Sequence, residues 1–144
     1  MPRLFLDSSV LFAAIFSVTG GARELLRLSG EGLLHLLVSQ DVLAESEANL
    51  RAKAPNRLAD LVGALALAGV EITDPPDITT VQQCQKLVNY PNDAVVLAAA
   101  GVDYFVTLDR QHFLDNAALR AAMPFPLGTP GDCLAWFRKM LSES

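Results

Sequence analysis

Short unbroken apolar runs alternate along this chain with stretches of helical spacing. Leu4, Phe5 and Leu6 form the first run, too short for a helix and bounded at once by Asp7, Ser8 and Ser9, which predicts a buried strand. Residues 10–16 are apolar nearly all round, as expected of a largely buried helix with Ser8 or Ser9 as its cap. On that stretch alone Asp7 reads equally as a helix cap and as a ligand-bearing residue at the end of a strand. Thr19, Gly20 and Gly21 break the chain, and residues 22–28 predict an amphipathic helix with Leu25, Leu26 and Leu28 inward and Arg23 and Arg27 on one outer face. After a glycine-containing loop, residues 33–38 predict a second strand, which contains His35.

Ser39 is the expected cap of the next helix, with Asp41 in its first turn, where negative charge is favoured. On a helical wheel Val42, Leu43 and Leu50 mark the buried side. Glu45 and Glu47 fall on opposite flanks of it at comparable angles, so periodicity does not choose between them. Residues 57–68 predict a helix ended by Gly69, and the alternation over 70–73 a half-buried strand. Residues 79–88 read as a weak helix, and Asn92 and Asp93 open an alanine-rich buried helix over 94–100. A strand over 104–107 leads to Leu108, Asp109 and Arg110, then to a polar segment with a helical turn within 115–122. Residues 125–127 predict a short edge strand, given the prolines. The last helix has Thr129 as cap and Pro130 in its first turn, with Leu134, Phe137 and Leu141 inward and Trp136 partly so. Strands alternating with helices predict an α/β fold: a single three-layer domain over 1–144, with a mainly parallel central sheet flanked by helices.

Composition narrows the chemistry. At 144 residues and 51% apolar the chain supports one real core and is not disordered. Its longest apolar stretch, 58–70, carries Asp60 and is too short for a membrane span, so no membrane role is expected. The first seven residues hold one arginine and one aspartate, unlike a signal peptide. Cys84 and Cys133 lie far apart without metal spacing and fit buried thiols in a reducing cytoplasm. Net charge is −5, so any grip on nucleic acid must rest on a local patch rather than on bulk electrostatics. Arg51, Lys53 and Arg57, with Arg23, Arg27 and Arg110, are the candidates for such a patch, against the plainer reading of a solvated helix end. No aromatic platform for unpaired bases is evident.

Four acids fall where a strand end or helix start would expose them on one sheet edge: Asp7, Glu45 or Glu47, Asp93 and Asp109. Singly, Asp93 could complement a helix dipole and Asp109 could shape a turn. Carboxylates about 4 Å apart repel by roughly 4 kcal/mol per pair at an effective dielectric near 20, so a cluster of them implies a cation. Oxygen-only ligands suit Mg²⁺ or Mn²⁺, and the implied chemistry is phosphodiester hydrolysis.

Several of these pieces resemble a known family. Leu6, Asp7, Ser8, Ser9 and Val10, the segment from Ser39 through Leu43 to Glu45, and Asn92 and Asp93 with their alanine-rich helix occur in its order. The stretch Ala100 to Asp109, ending Phe105-Val106-Thr107-Leu108-Asp109, and the closing Thr129-Pro130-Gly131-Asp132 are also similar to its patterns. The chain resembles PIN-domain ribonucleases, especially the small prokaryotic VapC-like toxins. That resemblance implies Asp7, Glu45, Asp93 and Asp109 as metal-binding acids, preferring Glu45 over Glu47. Ser8 can supply a hydroxyl near the metal, and Thr107 reads equally as a donor to a carboxylate or metal-bound water and as a β-branched strand residue. It also implies Mg²⁺ or Mn²⁺ dependence, cleavage of single-stranded RNA, an antitoxin partner and a homodimer. Ser9 departs from the pattern, standing where the family often keeps an asparagine. Asp103 and His112 read as structural and as surface or packing residues.

Two other functions fit the sequence less well. A non-catalytic PIN-like module binding RNA or protein is weakened by the full set of acids. A phosphotransfer domain using Asp7 as acceptor would want a lysine by the late acidic strand, and none of Lys53, Lys86 and Lys139 flanks Asp109 along the chain.

Overall fold

A computed structural model of the chain describes residues 1–17, 19–73, 102–123 and 125–143. The expected helices over 79–88 and 94–100, and with them Asp93 and Cys84, lie outside the described residues. The elements in order are β1 (Arg3–Leu6), α1 (Ser8–Phe16), α2 (Gly21–Gly30), β2 (His35–Ser39), α3 (Gln40–Lys53), a 3₁₀ turn (Pro55–Arg57), α4 (Leu58–Ala68), β3 (Glu71–Thr73), β4 (Tyr104–Val106), a π-turn (Arg110–Leu114), α5 (Ala117–Ala122), β5 (Leu127–Gly128) and α6 (Pro130–Glu143).

The strands form one parallel sheet in the order β3-β2-β1-β4-β5. Phe5 is in register with Leu37 on one side and Phe105 on the other. Because both neighbours cover it, β1 is buried on its apolar residues: Leu4, Phe5 and Leu6 are at most 1% exposed. Phe5 and Phe105 stack at 5.6 Å between centroids, and Phe105 also meets Phe113 at 5.0 Å. Each fully buried side chain of this size contributes about 1.5–3 kcal/mol of transfer free energy, which makes this aromatic column the centre of the core.

Local signals explain the helix ends. Ser39 caps α3, its hydroxyl accepting from Val42 N–H, and Thr129 and Asp132 bond each other's backbone at the start of α6. Gly69 ends α4 at φ 63°, the left-handed conformation that glycine adopts at lowest cost. Gly128 in β5 has a different reason: a Cβ there would collide with the Tyr104 hydroxyl and with Asp132. Leu25, Leu26 and Leu28 of α2 are buried as expected.

Some expectations need correction. Asp7, not Ser8 or Ser9, caps α1, because the helix begins at Ser8 and the Asp7 carboxylate accepts from Val10 N–H. Leu141 is 57% exposed, since the buried residues of α6 are Pro130, Cys133, Leu134 and Phe137 and its last turn runs past them. The strand over 70–73 exists as β3, but as a sheet edge: Ile72 is 48% exposed. The segment after Asp109 folds into a π-turn that no apolar period announced.

Candidate active site

The chain leaves β1 toward one side of the sheet, through β2 to β3, and returns to the other side as β4 and β5. The carboxyl ends of β1 and β4 are therefore a topological switch point, where connections diverge and a crevice is left open. Asp7 is the first residue past β1, its N–H donating to Val106 O at 3.2 Å. Thr107 is the first past β4, its N–H donating to Gly128 O at 2.9 Å. Sheet hydrogen bonding thus fixes both backbones side by side.

Their side chains meet. The Thr107 hydroxyl donates to Asp7 Oδ2 and accepts from Asp109 N–H at 3.0 Å. The Ser9 hydroxyl donates to Asp7 Oδ1 at 2.5 Å and accepts from Leu108 N–H at 3.1 Å. Two hydroxyls therefore bracket one carboxylate, and each is held in turn by the backbone after β4. Asp7 is only 6% exposed. Burial pushes its carboxyl from the ordinary 3.8 up to about 6; the hydrogen bonds from Ser9, Thr107 and Val10 oppose the rise, and the charge of Asp109 adds to it.

Asp109 caps the π-turn, with Oδ1 accepting from His112 N–H at 3.0 Å and Oδ2 lying 2.8 Å from His112 Nδ1. His112 is thus no plain surface or packing residue, since it holds both oxygens of a candidate site acid. Asp103, by contrast, accepts from Arg3 N–H at the opposite ends of the same strands, a structural tie as expected.

Asp7, Ser8, Ser9, Glu45 and Asp109 line one open cavity of about 410 Å³, together with Phe12, Asn49, Lys53 and Phe113. Helices α1 and α3 form its walls. Glu45, Asn49 and Lys53 come from α3 at i, i+4 and i+8, one face of the helix. Glu47 points elsewhere and pairs with Arg51 at 3.8 Å. Lys53, remote from Asp109 along the chain, reaches the same cavity. Its Nζ lies 5.2 Å from the Phe12 centroid, and Phe12 in turn lies 4.6 Å from Phe16. An aromatic surface beside the acids is therefore present where none was expected from the sequence.

The donor set suits a hard divalent cation in kind: carboxylates and hydroxyls, with a buried carboxylate whose desolvation cost its hydrogen bonds only partly offset. Among the described residues no group of three His, Cys, Asp or Glu side chains stands close enough to hold a metal ion. Asp7 and Asp109 are coupled through their charges, and Glu45 faces them from the cavity wall.

A family model for the PIN domain matches residues 3–111, the larger part of the chain. The chain belongs to the PIN-domain family. Its fold is similar to that of VapBC2 from Rickettsia felis, solved bound to a DNA fragment from their promoter, with a TM-score of 0.66 at 14% identity over 88% of this chain and 98% of that one. It is also similar to PAE2754 from Pyrobaculum aerophilum, with a TM-score of 0.58 at 16% identity over 96% of each chain. No curated protein sequence matches. The PIN match and the parallel sheet agree with the α/β architecture expected from the alternation of strands and helices.

Of the site residues read from the sequence, Asp7, Ser8, Glu45 and Asp109 line the PIN cavity, and Thr107 lies beneath Asp7. Sequence reasoning missed Asn49, Phe12 and Phe113. For Asn49 a signal existed: it sits one turn beyond Glu45 on the same helical face.

Proposed function

We propose that this PIN-domain protein is a metal-dependent endoribonuclease that cuts single-stranded RNA in the cytoplasm, as the toxin of a toxin–antitoxin pair, and that it works as a homodimer. PIN-domain proteins are in general nucleases, and the fold likeness to a VapBC complex supports the antitoxin partner. The observation that carries the reading is the buried Asp7 carboxylate at the switch point, facing Asp109 and Glu45 across one cavity.

Asp7, Glu45, Asp93 and Asp109 would hold Mg²⁺ or Mn²⁺. When bound, the ion would activate water and neutralise charge on the phosphate oxygens. The chain's own residues fix the geometry. Ser9 and Thr107 orient the Asp7 carboxylate from both sides, and His112 orients Asp109. Above pH 6 Asp7 is ionised and able to bind a cation; below it the proton competes.

The test is cleavage of a labelled single-stranded RNA with Mn²⁺, by the native chain and by Asp7→Asn. Loss of metal-dependent cutting in a folded Asp7→Asn protein is expected, and undiminished cutting would sink the assignment. The alternative is a non-catalytic PIN-like module that binds RNA or protein. Calorimetric titration with Mn²⁺ separates the two: no heat at millimolar metal would select the module.

A further inference from the structure

The acid cavity forms a groove walled by α1 and α3, and its chemistry changes along its length. On α1, Ser8, Phe12 and Phe16 follow at i, i+4 and i+8; on α3, Glu45, Asn49 and Lys53 do the same. Eight residues of helix advance about 12 Å, so the lining passes over that distance from carboxylate through amide to ammonium. Most cations near this groove are already engaged. Arg57 donates to Ile15 O and pairs with Asp60, and Arg51 pairs with Glu47. Among the described residues Lys53 has no carboxylate within ion-pair distance, and it is the one cation lining the cavity. Its ammonium is instead seated over the Phe12 ring, an attraction that holds its position without neutralising its charge.

A positive charge that lines the same cavity as three carboxylates, with no ion-pair partner among the described residues, suits an anion that enters with the substrate. We propose that Lys53, positioned by Phe12 and assisted by the Asn49 amide, binds a backbone phosphate of the RNA strand next to the one that is cut. This deepens the ribonuclease reading and rests on it. Lysine binds phosphate as a point charge, which fits a sequence-independent grip on the strand. The acids take the cation end of the groove and Lys53 the far end, so a strand lying between α1 and α3 is registered over the acids. It also gives this acidic chain the local positive point that its net charge of −5 demands for holding RNA.

The test is binding of a fluorescently labelled single-stranded RNA in EDTA, where no cleavage occurs, by the native chain, Lys53→Gln, Lys53→Arg and Phe12→Leu, with thermal melts to verify folding. One phosphate contact to a single strand contributes about 0.7 to the slope of log K against log salt. The affinity advantage of the native chain over Lys53→Gln should therefore shrink about 2.6-fold between 50 and 200 mM salt. Lys53→Arg should keep the native slope, and Phe12→Leu should weaken binding while keeping the slope. Mn²⁺ binding by Lys53→Gln should be no weaker than native. A Lys53→Gln protein with native affinity and native slope overturns the proposal. If in addition the native chain cuts RNA with Mn²⁺, the ribonuclease reading survives alone; if the native chain binds RNA but never cuts it, that reading fails while the Lys53 slope still decides the contact.

Discussion

Replacing Asp7 by asparagine should stabilise the metal-free protein at neutral and alkaline pH. Asp7 is 6% exposed, and its carboxyl is raised from 3.8 to about 6 chiefly by burial. A folded-state pKa above the unfolded value means that the folded chain binds this proton more tightly. The stability linked to it is fully present below about pH 3.8 and is lost as pH rises through 6. Above pH 6 the buried charge costs about 3 kcal/mol relative to the protonated state. Asparagine has the same shape and no charge. Its amide nitrogen must replace Oδ2, facing the Thr107 hydroxyl, because Oδ1 accepts from Val10 N–H; the mismatch is about 1 kcal/mol, since a hydroxyl can turn from donor to acceptor. The net gain for Asp7→Asn at pH 8 is therefore about 2 kcal/mol, or roughly 5–10 °C in Tm for a domain of this size.

Thermal and urea melts of both proteins in EDTA from pH 4 to 8 would measure this. The advantage of the variant should fade below pH 6 and reverse by about 0.5 kcal/mol near pH 4, where the folded native carboxyl is protonated while the unfolded one is still partly ionised. Saturating Mn²⁺ at pH 8 should invert the order, since a ligand at one hundred times its Kd stabilises the native chain by about 2.7 kcal/mol. A variant less stable than native at pH 8, or a difference that does not move with pH, refutes the assignment of burial as the dominant cause.

Thr107→Val removes the donor to Asp7 Oδ2 and the acceptor for Asp109 N–H together; a loss of about 1–3 kcal/mol and a further rise of the Asp7 titration are expected from the pH dependence of melting. His112→Ala keeps the π-turn backbone bond to Asp109 but removes the ring nitrogen 2.8 Å from Oδ2, and calorimetry should show Mn²⁺ binding weakened about 10–100-fold. Gly128→Ala drives a methyl into the Tyr104 hydroxyl and Asp132, with an expected cost of about 1–3 kcal/mol read as a lower urea midpoint at unchanged slope.

The sequence made the scaffold legible where one force dominates. Leu4, Phe5 and Leu6 are a short run with no polar interruption, and only a strand flanked on both sides buries them all. The Ser39 and Thr129 caps were equally plain, because a hydroxyl before an apolar helical period has one efficient use. The π-turn was not legible. It is set by the Asp109 and His112 bonds and by packing of Phe113 against Phe105, not by any repeat in Arg110–Leu114. The choice between Glu45 and Glu47 was invisible to periodicity for a related reason: both flanks of α3 are equally amphipathic, and only the position of α1 decides which flank faces a cavity. Lys53 reads from the sequence as one of several candidates for a positive patch, and its distance along the chain from Asp109 hides that the fold brings both to one cavity.

Cap and ligand looked like rival roles for Asp7, and the geometry makes them compatible. A carboxylate offers about four acceptor sites. On Oδ1 both are used, by the Ser9 hydroxyl and by Val10 N–H, which is the cap bond. On Oδ2 the Thr107 hydroxyl is the hydrogen-bond donor among the described residues, so one acceptor site remains on the oxygen farther from the helix. Capping α1 thus consumes the oxygen bonded to the helix and leaves the other beside the Thr107 hydroxyl at the end of β4. Ser9 takes part in both roles. It uses its single hydroxyl twice, once to hold Oδ1 and once to accept from Leu108 N–H, and so ties the start of α1 to the segment that carries Asp109. The two carboxylates are held in register by one serine and one threonine, whose removal should therefore loosen Asp7 and Asp109 together rather than either alone.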